Sequence, residues 1–172
     1  MLTALATLDL PWSSVQVFQV DERLAPDGDP ARNLTHLRDA LGRLPLRLVP
    51  MPVDASDLDG AADRYASSLP ERFDLVHLGL GPDGHTASLV PGDPVLDVTD
   101  CLVALTQTYR GHRRMTLTYP ALSRAERLLW LVTGDDKRSA LAALLAGDRT
   151  VPAGRVTAAS SLVVADREAA GA

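Results

Sequence analysis

A histidine that follows a glycine-rich turn is the feature of this sequence best suited to chemistry. The stretch LGLGPDGHTASL, residues 78–89, places His85 directly after a glycine and two residues after Asp83. Histidine has an unperturbed pKa of about 6.5, so it can take a proton near neutral pH, and a neighbouring carboxylate can orient its ring. The apolar run FDLVHLGL precedes the turn and predicts a strand that ends where the histidine is presented. We interpret His85 as a candidate general base and Asp83 as its partner.

The same turn matches the Gly-x-Gly-x-x-Gly spacing of dinucleotide-binding loops. That function requires an acidic residue at the end of the next strand and a long helix directly after the turn. Asp97 and Asp100 precede the next strand candidate instead of ending it, and the segment PGDP at 91–94 stops a helix early. Pro82 also removes one backbone N–H that such a loop would offer to phosphate. The sequence therefore favours a turn that presents His85 over a turn that holds a cofactor.

Other reactive side chains have weaker support. Ser88 follows His85 closely, but no Gly-x-Ser-x-Gly elbow surrounds it, and no His-x-x-x-His pair predicts a metal site. His77 lies inside a strand candidate, where a hydrogen-bonded core histidine is expected. Asp21 and Glu22 are adjacent carboxylates that could act in catalysis or belong to a solvated turn.

The composition limits the classes of partner. The chain has 172 residues, 46% of them hydrophobic, which suits one domain over residues 1–172. The net charge is −5 without a basic cluster, which argues against nucleic acid and anionic membranes but permits a small anionic substrate. The single cysteine, Cys101, excludes an internal disulfide. The start, MLTALATLDLPW, has Asp9 and no basic residue, and no apolar stretch approaches the ~18 residues of a membrane span, so we expect a soluble cytoplasmic protein.

Strand and helix candidates alternate along the chain. Apolar runs predict strands at residues 15–20, 46–51, 73–80, 101–106, 115–118, 128–132 and 162–165. Helical spacing predicts helices at residues 31–41, 58–69, 121–126 and 137–145. This alternation predicts an α/β, Rossmann-like fold with a mostly parallel sheet and helices on both faces.

Polar side chains follow several of these strands. Asp21 and Arg23 come after the first strand, His85 follows the third, and Lys137 comes after the strand at 128–132. In parallel sheets a ligand binds at the carboxyl ends of the strands. We therefore expect these side chains to meet at one edge of the sheet.

These motifs together resemble the 6-phosphogluconolactonase family. The segment LGLGPDGHTASLVPG resembles the family's histidine loop, and VQVFQVDERLAP, RNLTHLRDAL, RMTLTYPAL and LVTGDDK follow in family order. In the related glucosamine-6-phosphate deaminases the histidine loop ends differently, with Asn-Glu-Pro where this chain has a Thr-Ala-Ser-Leu continuation. The resemblance covers nearly the whole chain and favours the lactonase branch.

The resemblance implies hydrolysis of 6-phospho-glucono-1,5-lactone to 6-phosphogluconate in the pentose phosphate pathway, without a cofactor or metal. His85 would activate water, with Asp83 beside it. The expected substrate-binding residues are Asp21 and Asn33 for the sugar, Gly81 and Gly84 in the loop, and Arg23, Arg114 and Lys137 for the phosphate. Sequence alone leaves open whether Arg113 or Arg114 contacts the phosphate. A phosphate calls for such charged donors, and Lys137 near a helix N-terminus would add to them.

The N-terminus differs from the family pattern. Family members carry preceding strands and a Ser-Gly-Gly-Ser-Thr-Pro-like loop that wraps the ligand, whereas this sequence begins at what resembles the following helix. The resemblance therefore predicts a fold that lacks the usual N-terminal strands and has impaired turnover. It also predicts a homo-oligomer that covers the sheet edge or apolar face left exposed by the missing strands. Two alternatives stay open, a non-catalytic phosphosugar-binding remnant and a phosphosugar isomerase or deaminase relative.

Overall fold

The computed structural model describes residues 1–171, which form eight short strands and six α-helices. The strands are β1 (Gln16–Phe18), β2 (Asp21–Arg23), β3 (Arg47–Val49), β4 (Val76–Gly79), β5 (Val103–Leu105), β6 (Arg114–Leu117), β7 (Arg127–Val132) and β8 (Ser160–Ala165). The helices are α1 (Leu2–Leu5), α2 (Asn33–Leu41), α3 (Leu58–Ser68), α4 (Tyr119–Leu122), α5 (Arg138–Leu145) and α6 (Arg167–Ala170).

The strands form two parallel sheets and one antiparallel sheet. Strands β1 and β3 pair in parallel, and β4, β7 and β8 form a second parallel sheet with β7 in the middle. Strands β2, β6 and β5 form the antiparallel sheet with β6 in the middle. The prediction of an α/β fold with mostly parallel strands is confirmed, because five of the eight strands lie in parallel sheets. A single domain over residues 1–172 stays a prediction.

The acidic segment after β1 is a strand, for which the sequence had left open a catalytic carboxylate pair or a solvated turn. Asp21, Glu22 and Arg23 pair antiparallel with Thr116, Met115 and Arg114 of β6. All four residues of β6 are buried, and strand β5 pairs with only one of its two edges. The short acidic segment fills the other edge, since a buried strand needs partners for its backbone groups on both sides. This pairing brings Asp21 and Arg23 beside Arg114.

Other predicted bounds shift by a few residues. The helix predicted at 121–126 begins at Tyr119 and ends at Leu122, with Thr118 at its N-cap and a proline in its first turn. Proline suits the first turn because its missing N–H has no helical partner there. Helix α5 begins at Arg138, after a 3-10 turn at Asp135–Lys137.

The core lies between the sheets and helices α3, α4, α5 and α6. Its members from the parallel sheet include Leu78 and Trp130, each 1% exposed, and β6 contributes Met115 with no exposed surface. Fully burying one such side chain stabilises a fold by about 1.5–3 kcal/mol. The loops after β4 and β7 therefore start from firmly packed strands.

Candidate active site

The turn that carries His85 starts at the carboxyl end of β4. Gly79, the last residue of β4, lies opposite Leu131 of β7 in the parallel register. Parallel neighbours end at the same edge of a sheet, so the turn after β4 and the turn after β7 emerge on the same side. The predicted common edge is thus present for these two loops.

Two glycines give the turn its shape. The Gly81 N–H donates to the His85 carbonyl oxygen at 2.8 Å, and the Gly84 N–H donates to the Gly81 carbonyl oxygen at 3.0 Å. Gly84 has φ +79°, and a Cβ there would lie 2.7 Å from the side chain of Val151. A Cβ at Gly81 would overlap the His85 ring. Gly81 therefore leaves the space in which the histidine sits, and Gly84 supplies the backbone conformation.

His85 and Asp83 form a close pair. His85 Nδ1 lies 2.5 Å from Asp83 Oδ1, and the His85 backbone N–H donates to the same oxygen at 3.2 Å. Burial by itself raises the pKa of Asp83, but the hydrogen bonds from His85 outweigh it, and the pKa lies below its ordinary value. An ionised carboxylate only accepts hydrogen bonds, so the ring hydrogen belongs on Nδ1. Nε2 is then the nitrogen that can accept a proton from another molecule.

A tyrosine that the sequence analysis did not single out completes this group. The Tyr109 hydroxyl donates to Asp83 Oδ2 at 3.1 Å, and its ring meets the His85 ring edge-on with centroids 5.5 Å apart. Burial, followed by the hydrogen bond to Asp83, raises the pKa of Tyr109. The available sequence signal was the glycine in TYRGH between two strand candidates, which is typical of a hairpin turn.

Asp21 and Asn33 meet in a hydrogen-bonded cluster with Ser88. Asn33 Nδ2 donates to Asp21 Oδ1 at 3.0 Å, and the Ser88 hydroxyl donates to Asp21 Oδ2 at 2.6 Å. Burial raises the pKa of Asp21, against the opposing effects of Ser88, Arg23 and Arg114. Ser88 is 1% exposed, so it joins β2 to the histidine loop instead of presenting a nucleophile.

Glu22 has a structural role. Its carboxylate accepts hydrogen bonds from the backbone N–H groups of Asn33 at 2.7 Å and Leu34 at 2.8 Å, the first residues of α2. Glu22 has no exposed surface and also lies 3.4 Å from Arg32 Nε. An anion at a helix N-terminus is favourable. Asp21 is therefore a half-buried and Glu22 a fully buried residue of strand β2, and the hypothesis of a solvated turn was wrong.

Two arginines lie opposite each other beside Asp21. Arg23 on β2 is the cross-strand partner of Arg114 on β6. Arg23 donates to Asn33 Oδ1 at 2.5 Å and to the Ala31 carbonyl oxygen at 3.1 Å. Arg114 is 7% exposed, and its Nε has no hydrogen-bond partner among residues 1–171. Burial, and then the charge of Arg23, lowers the pKa of Arg114. Two neighbouring cations with an unused buried donor form a site that an anion would stabilise.

Lys137 and Arg113 lie outside this cluster of contacts. Lys137 Nζ donates to Asp136 Oδ2 at 2.8 Å, in the 3-10 turn after β7. Its position at the same sheet edge agrees with the sequence, and its contact with phosphate stays a prediction. Arg113 is exposed and its Nε donates to the Thr106 carbonyl oxygen at 3.3 Å. The buried neighbour of Arg23 is Arg114.

The structure does not support the other sites considered. The glycine turn continues into loop and a 3-10 turn at Pro94–Asp97 instead of the helix that a dinucleotide-binding loop needs. His77 is partly buried, and its Nε2 has no hydrogen-bond partner in the described chain, so the expectation of a hydrogen-bonded core histidine was wrong. Burial lowers the pKa of His77. Within residues 1–171 no group of three or more His, Cys, Asp or Glu is placed to hold a metal ion.

Two surface hollows lie away from His85. One lies at the amino ends of β4, β7 and β8, opposite the edge that carries His85, and is lined by Glu71, Arg72, Ser123, Arg124, Ala125, Glu126 and Ala159. A second lies between α1, α2 and the parallel sheet, beside His77. No helix in residues 1–171 has the length and apolar character that crossing a membrane requires.

The fold and this site define a class of α/β protein in which a histidine oriented by a carboxylate lies near a pair of arginines. Residues 1–164 match the sequence profile of the family described as glucosamine-6-phosphate isomerases/6-phosphogluconolactonase. The chain belongs to this family.

Named relatives agree with the family assignment. The chain is 39% identical to a 6-phosphogluconolactonase of Mycobacterium tuberculosis over 94% of this chain and 74% of that protein. It is 36% identical to a 6-phosphogluconolactonase of Synechocystis sp. over 83% of this chain. The match spans 65% of the length of the Synechocystis protein.

A solved structure gives the same result for the fold. The crystal structure of a 6-phosphogluconolactonase from Thermotoga maritima superposes with a TM-score of 0.85 at 28% identity, covering 95% of this chain and 78% of that chain.

Proposed function

We propose that this chain hydrolyses 6-phospho-glucono-1,5-lactone to 6-phosphogluconate. The observation that carries the proposal is the position of Tyr109, which joins the base to the anion site. Its hydroxyl binds Asp83, its ring meets His85, and the Arg114 guanidinium lies 5.0 Å from the ring centroid. One side chain therefore separates the proposed base from the proposed phosphate site. The relatives named as 6-phosphogluconolactonases support the same substrate.

The chemistry follows from the orientation of His85. Nε2 takes a proton from a water molecule as its oxygen attacks the lactone carbonyl carbon. The tetrahedral intermediate collapses, the bond from that carbon to the ring oxygen breaks, and the ring oxygen takes the proton from His85. Asp83 keeps the proton on Nδ1 throughout and stabilises the transient imidazolium, as a carboxylate next to a catalytic histidine does. The products are a carboxylic acid and a free hydroxyl group, which balances the water consumed.

The phosphate is proposed to bind at Arg23 and Arg114. A dianion would relieve the repulsion between their guanidinium groups and would occupy the unused Arg114 Nε donor. Lys137 is proposed to reach the same phosphate from the turn after β7. Asp21 and Asn33 are proposed to shape the sugar site, with Gly81 and Gly84 forming the wall that carries His85.

A non-catalytic phosphosugar-binding protein is the second candidate. The observation in its favour is the arginine pair, because Arg23 and Arg114 lie opposite each other independently of the His85 turn. The arginine pair alone would bind a phosphosugar without turnover. A deaminase function has less support, since Thr86-Ala87-Ser88 replaces the ending of the deaminase loop and Ser88 is committed to Asp21.

We also propose that the chain acts in the cytoplasm and self-associates. Strand β8 lies at the edge of its sheet, and its Leu162 and Val164 are 60% and 45% exposed. Alternate residues of a strand share a face, so these two form an apolar surface beside an open edge. A second copy of the chain would cover it.

A direct assay tests the activity. The rate of acid release from 6-phospho-glucono-1,5-lactone is measured with and without the chain, net of spontaneous hydrolysis, beside a version extended at its N-terminus with the corresponding segment of a relative. Turnover by the 172-residue chain supports the lactonase. Binding of 6-phosphogluconate without turnover would instead support the second candidate, and neither binding nor turnover would reject both.

A further inference from the structure

Tyr109 lies in the turn of the hairpin that joins β5 to β6. Its backbone N–H donates to the His112 carbonyl oxygen at 3.0 Å, and the His112 N–H returns a bond to the Tyr109 carbonyl oxygen at 3.3 Å. The two residues between them have left-handed backbones, with φ 49° at Arg110 and 82° at Gly111. Two consecutive positive φ values define a type I′ turn, the tight turn that matches the twist of a hairpin. The turn therefore fixes the backbone position from which the Tyr109 side chain extends.

Asp83 divides its two carboxylate oxygens between two partners. Oδ1 engages the Nδ1 and backbone N–H of His85, whereas Oδ2 accepts the Tyr109 hydroxyl at 3.1 Å. The Asp83 side chain is 36% exposed and lies on a turn, so its own packing does not hold it. With Oδ2 held by Tyr109, the carboxylate cannot rotate without breaking a hydrogen bond to a charged acceptor.

The faces of the same ring carry cations. The guanidinium carbons of Arg110 and Arg114 lie 5.2 and 5.0 Å from the ring centroid, within the range of cation–π attraction. Arg114 also faces Arg23 across the strands, so the ring is one of the groups that define its position. Tyr109 thus contacts the anion site with its ring and the Asp83–His85 pair with its hydroxyl.

We infer that Tyr109 is a positioning residue for the reaction, an inference that rests on the proposed function. Its hydroxyl holds Asp83 in the rotamer that keeps the proton on His85 Nδ1, which leaves Nε2 as the base. Its ring sets the place of Arg114 and so the separation between the base and the bound phosphate. The hydroxyl should therefore govern kcat, and the ring should govern KM.

Two substitutions separate these effects. Tyr109→Phe removes the hydroxyl and keeps the ring, and we expect kcat to fall about 10-fold with KM within about twofold of wild type, because loosening a catalytic group costs rate and not binding. Tyr109→Leu removes the ring, and we expect KM to rise as well. His112→Asn, in the same turn, is the control and should leave both constants unchanged. Equal kcat in Tyr109→Phe and wild type would overturn the inference.

A double-mutant cycle tests whether Tyr109 acts through Asp83. If it does, adding Tyr109→Phe to Asp83→Asn should cost no further rate, because the partner of the hydroxyl is already altered. The same loss of rate in both backgrounds would mean that Tyr109 does not act through Asp83, and would overturn the inference.

Nitrogen-15 chemical shifts of the His85 ring give a readout that does not depend on turnover. We expect the Nδ1–H tautomer in wild type and a mixture of tautomers in Tyr109→Phe, with His85→Asn used to assign the signals. If Tyr109→Phe changes the His85 tautomer but the wild-type chain shows no lactone turnover, the positioning of His85 by Tyr109 stands and the proposed function is rejected. If the wild-type chain turns over lactone but Tyr109→Phe keeps the same tautomer, the proposed function stands and the positioning role is overturned.

Discussion

Arg23 and Arg114 are cross-strand partners in the antiparallel pair of β2 and β6. Like charges directly opposite each other destabilise a sheet. An anion bound between the two guanidinium groups would relieve this repulsion. Of the adjacent arginines 113 and 114, only Arg114 is buried, and it is the one that pairs with Arg23 across the strands.

The arginine pair predicts selective loss of phosphate binding. Arg114→Gln should weaken 6-phosphogluconate binding by about 10- to 150-fold, the usual cost of losing a hydrogen bond to a charged group. Gluconate, which has no phosphate, should bind equally well to wild type and variant. Calorimetry with both ligands measures the difference, and Arg113→Gln is the matched control. If Arg113→Gln weakens binding as much as Arg114→Gln, the assignment is wrong. Lys137→Ala, measured in the same way, tests the predicted third cation.

His85 predicts the largest effect on rate. His85→Asn should lower lactone hydrolysis by about 10²-fold or more, the usual scale for loss of a general base. Binding of 6-phosphogluconate should persist, since the arginine pair is unchanged. The rates are compared net of spontaneous hydrolysis, with His36→Asn, an exposed histidine on α2, as the control. Wild-type turnover in His85→Asn would reject the assignment of the base.

Asp83 predicts a dependence of stability on pH. Its pKa lies below the ordinary value of 3.8 because the hydrogen bonds from His85 outweigh the effect of burial. A carboxylate whose pKa falls on folding stabilises the folded state above its unfolded pKa, and this stabilisation disappears as the pH drops through the folded pKa. Urea unfolding of wild type and Asp83→Asn should therefore differ at pH 7, and the difference should shrink as the pH falls below the ordinary Asp pKa of 3.8. A constant difference from pH 7 to pH 2 would contradict the coupling of Asp83 to His85.

Adding one methyl group at position 81 is expected to lower activity strongly. A Cβ there would overlap the His85 ring and lie 2.7 Å from Asp83 Oδ1, so Gly81→Ala must displace the pair. We expect turnover to fall about 10²-fold, the scale of a displacement near 1 Å. Gly79→Ala is the control, because a Cβ at Gly79 meets no atom within 4 Å. Equal turnover in the two variants would show that the pair tolerates displacement.

The exposed face of β8 predicts self-association. Light scattering should give a mass above 18.3 kDa for the wild-type chain. Leu162→Lys with Val164→Lys should return it to a monomer, because charges on an edge strand block pairing between strands. A monomeric wild type at high concentration would contradict the proposal, and Leu145→Lys, another exposed leucine, is the control.

The sequence by itself determined where most of the strands and helices lie, and it predicted a candidate base in the histidine loop. Hydrophobic periodicity placed strands over β4 and β7 and helices over α2 and α3, because the burial of one face imposes a regular spacing. The glycines around Asp83 and His85 predicted a turn that presents a candidate base, because glycine adopts the tight-turn conformations that other residues avoid.

Only the tertiary structure decided which distant side chains meet. The segment from Asp21 to Arg23 looks polar and turn-like, and its strand character exists only because β6 offers an unpaired edge. Glu22 binds the N-terminus of α2, and Tyr109 reaches Asp83 across 26 positions of sequence. Such contacts depend on strand register and on the twist of a hairpin, which no local pattern encodes. Residue types and spacing therefore pointed to His85 as a candidate base, whereas the packing of separate strands brought together the arginine pair and the tyrosine that contacts both.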